Sequence, residues 1–276
     1  MTTPAPNIEL GQAYEDNLRA YTVAFTEAAG GFVQRDPDAV LTAVPYTYWT
    51  NGVVSPRLPA ENTLERVNEI LAVFRGLGRE VWFSLGPTTE PADLAATLKA
   101  RRLHNFHNRP FMACDLTKLV TGFPQPPRVT IDPVEDYAVF VEQPHPLLKR
   151  ITTPRKRAIF AAFKRLAEGE PQRHWMFIAE KRGRPVGTAI LYLDQENAGI
   201  YDVEVLERFR GQGIGTALLQ RVCTFARRQQ ARLAVLAASE QGARFYTRFG
   251  FVQTGRYPTY YYSIKKQKED VARAAG

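Results

Sequence analysis

The 276-residue chain is poor in several things, and each scarcity excludes a class of protein. It has two cysteines, Cys114 and Cys223, far apart and each within an apolar segment. That excludes a disulfide framework and fits reduced, buried thiols in the cytoplasm. No run of about 18 apolar residues occurs, so no stretch reads as a membrane-spanning helix and no membrane partner is expected. The opening Met1-Thr2-Thr3-Pro4-Ala5-Pro6 lacks the basic and apolar regions of a secretory signal, which again points to the cytoplasm. His104-x-x-His107 lacks further ligands at metal-site spacing, so no metal is expected.

The remaining composition is that of an ordinary globular protein, 45% apolar and 23% charged, at a length comfortable for two domains. Its net charge of +8 is unevenly spread. Residues 1–125 hold 11 Lys+Arg against 13 Asp+Glu, whereas residues 126–276 hold 25 against 15. An anionic partner should therefore meet the second half. Zinc, helix-turn-helix and aromatic RNA-binding signatures do not accompany that charge, so a nucleic acid is not the expected partner.

Thr121-Gly122-Phe123-Pro124-Gln125-Pro126-Pro127 marks a seam, because three prolines in four residues fit neither a helix interior nor a central strand. It divides the chain into expected domains at 1–122 and 126–276. Apolar spacing predicts helices over 10–29, 61–76 and 92–102 before the seam, with strands at 32–35, 40–44, 52–56, 81–85 and 111–116. Beyond the seam it predicts helices over 135–142, 155–167, 213–230 and 240–248. Strands are predicted at 129–131, 175–180, 186–193, 199–205, 231–237, 251–256 and 260–264, and the tail from 265 reads as polar and frayed. The order strand, long helix, strand, short helix, two strands occurs in both halves, which raises an internal duplication as a hypothesis. Alternation of strands and helices makes the class mixed α/β, an α+β mixed sheet.

The informative stretch is Val203-Glu204-Val205-Leu206-Glu207-Arg208-Phe209-Arg210-Gly211-Gln212-Gly213-Ile214-Gly215-Thr216. A strand runs into a short loop, and glycines open a helix. The helix start leaves N–H groups unpaired, its dipole favours negative charge, and glycine admits a bulky anion close to the backbone. These are the parts of a pyrophosphate cradle, with Arg210 adding positive charge. A Rossmann fingerprint needs a further glycine and a distal acid, and a P-loop needs Lys before Thr216; neither is present. A structural glycine turn is the alternative that this stretch alone leaves.

Arg-x-x-Gly-x-Gly after a Val-x-Val strand resembles the acyl-CoA site of the GNAT superfamily of N-acetyltransferases. A second element, Ser239-Glu240-Gln241-Gly242-Ala243-Arg244-Phe245-Tyr246-Thr247-Arg248-Phe249-Gly250-Phe251, follows at the family's spacing. Phe245-Tyr246 and Gly250-Phe251 match, while Ser239 stands where the family usually has Asn and Gly242 where it has Ala. The resemblance covers about residues 128–266. It implies the GNAT acyl-CoA N-acyltransferase fold, acetyl-CoA as cosubstrate, and transfer of its acetyl group to a primary amine.

By that resemblance, the backbone of Val203, Glu204 and Val205 pairs with the pantetheine arm. The N–H groups of Gly211, Gln212, Gly213, Ile214, Gly215 and Thr216 bind the pyrophosphate beside Arg210. Two parallel strands splay to admit the acyl group, and a strand N–H near Val205 polarises the thioester carbonyl. Ser239 bonds the pantetheine, and Tyr246 acts as the general acid that protonates the leaving thiolate. The base is open: residues 231–237, where some relatives carry a Glu, have no carboxylate. Glu204 and Asp202 are the nearest acids, Glu204 is the candidate base, and a water chain or a neutral amine are the alternatives. A sensor that binds acyl-CoA without turnover is the runner-up. Polyamine, amino acid, antibiotic and protein N-terminus all fit as acceptor. Arg155-Lys156-Arg157 would suit an acidic one, and Tyr257, Tyr260, Tyr261 and Tyr262 are further pocket candidates.

Where the first half would carry a cofactor loop it has Pro56-Arg57-Leu58-Pro59-Ala60-Glu61-Asn62, with no glycine, a carboxylate and two prolines that remove N–H donors. It resembles the degenerate N-terminal half of tandem GNAT proteins and is not expected to bind CoA. One half can then pack where a second subunit would, so monomer and homodimer both fit.

Overall fold

A computed structural model describes residues 5–47, 49–137 and 152–263. Most of the helix expected over 135–142, and the tail from 265, lie outside the described residues. Among those described there are six helices and eleven strands. In order they are α1 (Ala5–Ala28), β1 (Phe32–Arg35), β2 (Val40–Ala43), β3 (Gly52–Val54), α2 (Thr63–Gly76), β4 (Val81–Ser84), α3 (Leu94–Ala100) and β5 (His104–Asp115). Then follow β6 (Val129–Pro133), α4 (Thr153–Ala167), β7 (His174–Lys181), β8 (Arg184–Asp194), β9 (Asn197–Val205), α5 (Ile214–Arg228), β10 (Leu233–Ala237), α6 (Glu240–Thr247) and β11 (Val252–Tyr262). No described helix is long and apolar enough to cross a membrane. The strand–helix–strand–helix–strand order does occur twice, as β3-α2-β4-α3-β5 and β9-α5-β10-α6-β11.

The described chain divides into two compact units that are not contiguous in sequence. One comprises Met1–Ala29 and Pro110–Gly255, the other Gly30–Arg109 and Arg256–Gly276. This division differs from the expected one at residues 122–126. The Pro-rich seam is not a free linker: the Phe123 ring lies 4.6 Å from Phe249, and its N–H donates to Gln220 Oε1 at 3.0 Å. Helix α1 joins the larger unit because its apolar and amide face, Tyr14, Asn17, Tyr21 and Phe25, finds partners there.

In the larger unit, β10 pairs antiparallel with the end of β5 and parallel with β9, and β9, β8, β7 and β6 follow antiparallel. Helix α5 covers one face. Its buried Ile214, Leu218, Val222 and Ala226 recur at helical spacing and pack with Ala189, Leu191, Ala198 and Ile200 of the sheet. Burying each large aliphatic side chain contributes about 1.5–3 kcal/mol. The opposite face carries α1 and α4, joined where Phe25 meets Phe163 at 5.4 Å.

In the smaller unit, β1, β2, β3 and β4 pair in order, and residues 259–262 of β11 pair antiparallel with β4. Helices α2 and α3 close a core of Leu41, Val67, Ile70, Phe74, Phe83 and Leu98. The two strands expected at 251–256 and 260–264 form one, β11. Pro258 lacks an N–H, but its carbonyl still accepts from the Leu85 N–H at 2.9 Å, so the strand passes through it.

Candidate active site

Parallel strands β9 and β10 stay paired only from Leu233–Asn197 to Val235–Gly199. Beyond that, β10 follows β5 to Ala237 while β9 follows β8 to Val205, and the two strands part. Near the parting, β9 carries a bulge: Thr188 opposes Glu204 and Ile190 opposes Tyr201, so β9 has one residue more than β8 between them. Asp202 takes the left-handed conformation there, φ 50°, which Asp tolerates better than most residues.

The bulge inverts the phase of the strand. Gly199 and Tyr201 face α1, as the Tyr201 hydroxyl donates to Asn17 Oδ1 at 2.6 Å. Simple alternation would turn Val203 and Val205 the same way. Instead both pack against the α5-side core, and Asp202 and Glu204 are exposed on the other face.

A short helical turn, Glu207–Phe209, leads to the glycine loop. Gly211 and Gly213 have φ of 74° and 78°, a conformation that side chains resist, and Gly213 is the N-cap of α5 without any side-chain cap. The first helical bond recorded there runs from the Ala217 N–H to the Gly213 carbonyl, so the N–H groups of Ile214, Gly215 and Thr216 have no intrahelical acceptor. The space before them is open: a Cβ at Gly211 would meet nothing within 4 Å, and one at Gly213 only Pro126 at 3.9 Å. Cations surround the loop. The Lys181 ammonium donates to Gln212 Oε1, the Arg208 guanidinium lies 5.0 Å from the Phe209 ring, and Arg210 Nε donates to the Val205 carbonyl at 3.1 Å.

Tyr246, on α6, is 9% exposed and belongs to the same core as Ile214 and Leu218. Its hydroxyl makes no hydrogen bond among the described residues. Burial above all, then Cys223 and Asp202, push its pKa up to about 12. The phenol thus stays protonated at any physiological pH. Ser239 caps α6, its Oγ accepting from the Gly242 N–H at 3.0 Å, which leaves its own proton available to donate. Strand β10 carries no carboxylate, and Glu204 and Asp202 lie across the parting on β9. Of the aromatic candidates, Tyr257, Tyr260, Tyr261 and Tyr262 all fall in the smaller unit, and Tyr260 belongs to its core.

Sequence reasoning predicted the helix over 10–29, which is α1, but not its place against β8 and β9. Asn17 is fully buried and donates through Nδ2 to the carbonyls of Tyr192 and Asn197 at 3.2 and 3.0 Å. Tyr21 stacks on Tyr201 at 4.6 Å and also meets Tyr192 and His174. A Cβ on Gly199 would fall 1.9 Å from Asn17 Oδ1, so that glycine marks the close approach of α1 to β9. No spacing within the sequence could report contacts between residues 184 positions apart.

Residues 140–251 match the family model described as Acetyltransferase (GNAT) family. An uncharacterized N-acetyltransferase of Methanocaldococcus jannaschii is 34% identical over 85 residues, which is 27% of this chain and 38% of that protein, so the match spans well under half of the relative. In fold the chain is similar to a GCN5-related N-acetyltransferase from Kribbella flavida, with TM-score 0.60 at 17% identity over 88% of this chain and 94% of that one. A GCN5-related N-acetyltransferase from Sphaerobacter thermophilus gives 0.58 at 20% identity, over 95% and 93%. A tandem GNAT protein from the clavulanic acid biosynthesis pathway gives 0.60 at 14% identity, over 95% and 96%. At these identities the likeness to solved structures is one of fold.

Proposed function

We propose, from the match of residues 140–251 to the GNAT acetyltransferase family, that this chain transfers an acetyl group from acetyl-CoA to a primary amine. The observation that carries the reading is the parting of β9 and β10 after Val235–Gly199 beside an uncapped helix start with open space at Gly211 and Gly213. A narrow gap between strands suits a thin pantetheine arm, and unpaired N–H groups suit a pyrophosphate. The residues present fit the cosubstrate on both counts.

In this reading the N–H groups of Gly211 through Thr216 hold the pyrophosphate, and Lys181, Arg208 and Arg210 supply the surrounding positive charge. Val203 and Val205 lend backbone groups to the pantetheine as an added strand would. Arg210 must then leave the Val205 carbonyl, which frees its guanidinium to meet a phosphate. Acetyl-CoA supplies the activated acyl group as a thioester. The amine forms the new C–N bond as the C–S bond breaks, and the leaving thiolate takes up a proton. Tyr246 is the donor: its hydroxyl carries that proton at every working pH. Burial that weakens the phenol as an acid also strengthens a thiolate in the same place as a base. Glu204 is the candidate to relieve the incoming ammonium of its proton, directly or through water.

The smaller unit is proposed not to bind CoA. Its parallel pair β3 and β4 stays in register from Gly52–Trp82 to Val54–Ser84, and the Ser55 N–H continues the ladder to the Ser84 carbonyl at 2.8 Å. A recess of about 580 Å³ lies at the start of α2, but Glu61, Glu65 and Asp93 line it and would repel phosphate.

Calorimetric titration with acetyl-CoA tests the reading, beside a Gly213→Glu variant that fills and charges the cradle. Saturable binding by the parent and none by the folded variant is the expected result. A folded parent that does not bind acetyl-CoA would refute it.

A further inference from the structure

Six cations gather at the end of the larger unit's sheet where β6 and β8 begin and β7 and β9 finish: Arg128, Lys181, Arg182, Arg184, Arg208 and Arg210. Strand register brings them together, since Val129 and Arg184 both oppose Lys181 and Gly187 opposes Val205. The Arg182 N–H donates to the Arg128 carbonyl at 3.4 Å, and the Lys181 ammonium reaches Gln212 of the glycine loop. Elsewhere in this unit cations find acids, as Arg19 does Asp16, Arg173 does Asp194 and Arg232 does Glu196. None of the six forms an ion pair among the described residues, although Glu180 and Glu207 adjoin Lys181 and Arg208 in sequence.

Two of the six hold a backbone that arginine resists. Arg182 and Gly183 make the two-residue turn between β7 and β8 with φ of 56° and 72°, and Arg128 has φ 58°. A hairpin turn with positive φ at both positions favours Asn-Gly, and an isolated positive φ favours Gly or Asn. The fold alone therefore does not call for arginine at either place, which points to a use for the charge. In the proposed reading Lys181, Arg208 and Arg210 meet the phosphates of acetyl-CoA, so Arg128, Arg182 and Arg184, all exposed, are left over.

We propose, resting on the acyl-transfer reading, that these three arginines dock an acidic carrier protein that presents the acyl group on a phosphopantetheine arm. Such an arm would enter between β9 and β10 as that of CoA would, with its one phosphate at the glycine loop. The protein behind the arm then lies against the surface around that loop, and six unpaired cations there select an acidic one. The carrier's C–S bond breaks as the C–N bond to the amine forms, and the arm leaves as a thiol. A single-stranded nucleic acid would seek aromatic faces for its bases, and Phe209, the ring within the patch, is taken by Lys181 and Arg208 at 6.0 and 5.0 Å.

The probe is acetylated holo acyl carrier protein from bacterial fatty-acid synthesis, titrated by calorimetry beside acetyl-CoA and beside the apo carrier, which lacks the arm. The parent is expected to bind the acetylated carrier saturably and at least tenfold tighter than the apo form. The triple variant Arg128→Asn, Arg182→Asn, Arg184→Gln is expected to bind that carrier at least tenfold more weakly and to keep the acetyl-CoA Kd within twofold. Arg182→Asn alone, which suits the turn and should unfold at no lower temperature than the parent, replaces the triple variant should that not fold. A parent that binds acetyl-CoA but not the carrier, or a carrier Kd unchanged in the variant, would overturn the proposal. An acetyl-CoA Kd weakened by the same factor as the carrier's would also overturn it, by giving the patch to the nucleotide of CoA. Tighter binding of a single-stranded RNA oligonucleotide than of the carrier would overturn it in favour of nucleic acid. A parent that binds neither donor would instead strike at the acyl-transfer reading itself.

Discussion

A buried phenol whose hydroxyl meets no described partner, as in Tyr246, is either poised for chemistry or simply packed. Kinetics separate the two. Tyr246→Phe keeps the ring and its contacts with Phe245 and Phe251, at 5.1 and 5.8 Å. If the hydroxyl delivers a proton, kcat should fall about 10²-fold or more while the acetyl-CoA Kd stays put. If the ring only packs, steady-state kinetics will show kcat unchanged.

His174 makes a different prediction. It is fully buried between Tyr21 and Phe163, and neither ring nitrogen has a hydrogen-bond partner among the described residues. Burial alone pushes its pKa down from 6.5 to about 3. Between those values the unfolded chain binds a proton that the folded one does not. Stability from this group is therefore present above pH 6.5 and is lost as pH falls toward 3, by about 1.4 kcal/mol per pH unit. Urea unfolding of His174→Leu should lose this part of the slope between pH 4 and pH 6.5, and a slope equal to the parent's would refute the assignment. Nothing adjacent to His174 in sequence announces this, because its neighbours come from α1 and α4. Gly213 and Tyr246 were singled out from the sequence for the opposite reason: each lies in a local motif whose spacing is itself the signal.

At the scale of elements, strand β9 illustrates what alternation can and cannot reveal. The pattern Asp202-Val203-Glu204-Val205 correctly separates exposed acids from packed valines. It carries no trace of the bulge, since one extra residue shifts the phase without changing the residue types on either side of it. The join of α1 to β9 was equally hidden, yet it is stereochemically tight. Gly199→Ala would drive a methyl group against Asn17 Oδ1 and the Tyr201 ring, and overpacking of this kind costs about 1–3 kcal/mol. Asn17→Ala opens the space but removes the amide oxygen that accepts from the Tyr201 hydroxyl and the donor to two strand carbonyls, which costs about the same. Because both changes act on one contact, thermal unfolding of the double variant should show less destabilisation than the sum of the singles. Strict additivity would mean that α1 does not approach β9 here.

For the whole molecule, the similar order of elements in the two halves was legible in the sequence, but not how the chain is shared out. The long strands β5 and β11 each contribute to both compact units, and α1 belongs with residues 110–255 although it opens the chain. Pairing of that kind depends on contacts across more than a hundred residues, which local composition does not encode. It also bears on how many ligands one chain can hold. Both units possess a parallel strand pair followed by a helix, so architecture alone would allow two sites. The proposed reading has one: β9 and β10 part before an open, cationic loop, whereas β3 and β4 remain paired before a recess lined by Glu61, Glu65 and Asp93. Calorimetry should accordingly give one acetyl-CoA per chain. The affinity should weaken several-fold between about 0.05 and 0.5 M NaCl, because screening shortens the reach of exposed charges from over 10 Å to under 5 Å. Two equivalents per chain, or one that persists in Gly213→Glu, would move the site into the smaller unit. Salt-independent binding would mean that Lys181, Arg208 and Arg210 do not meet the phosphates.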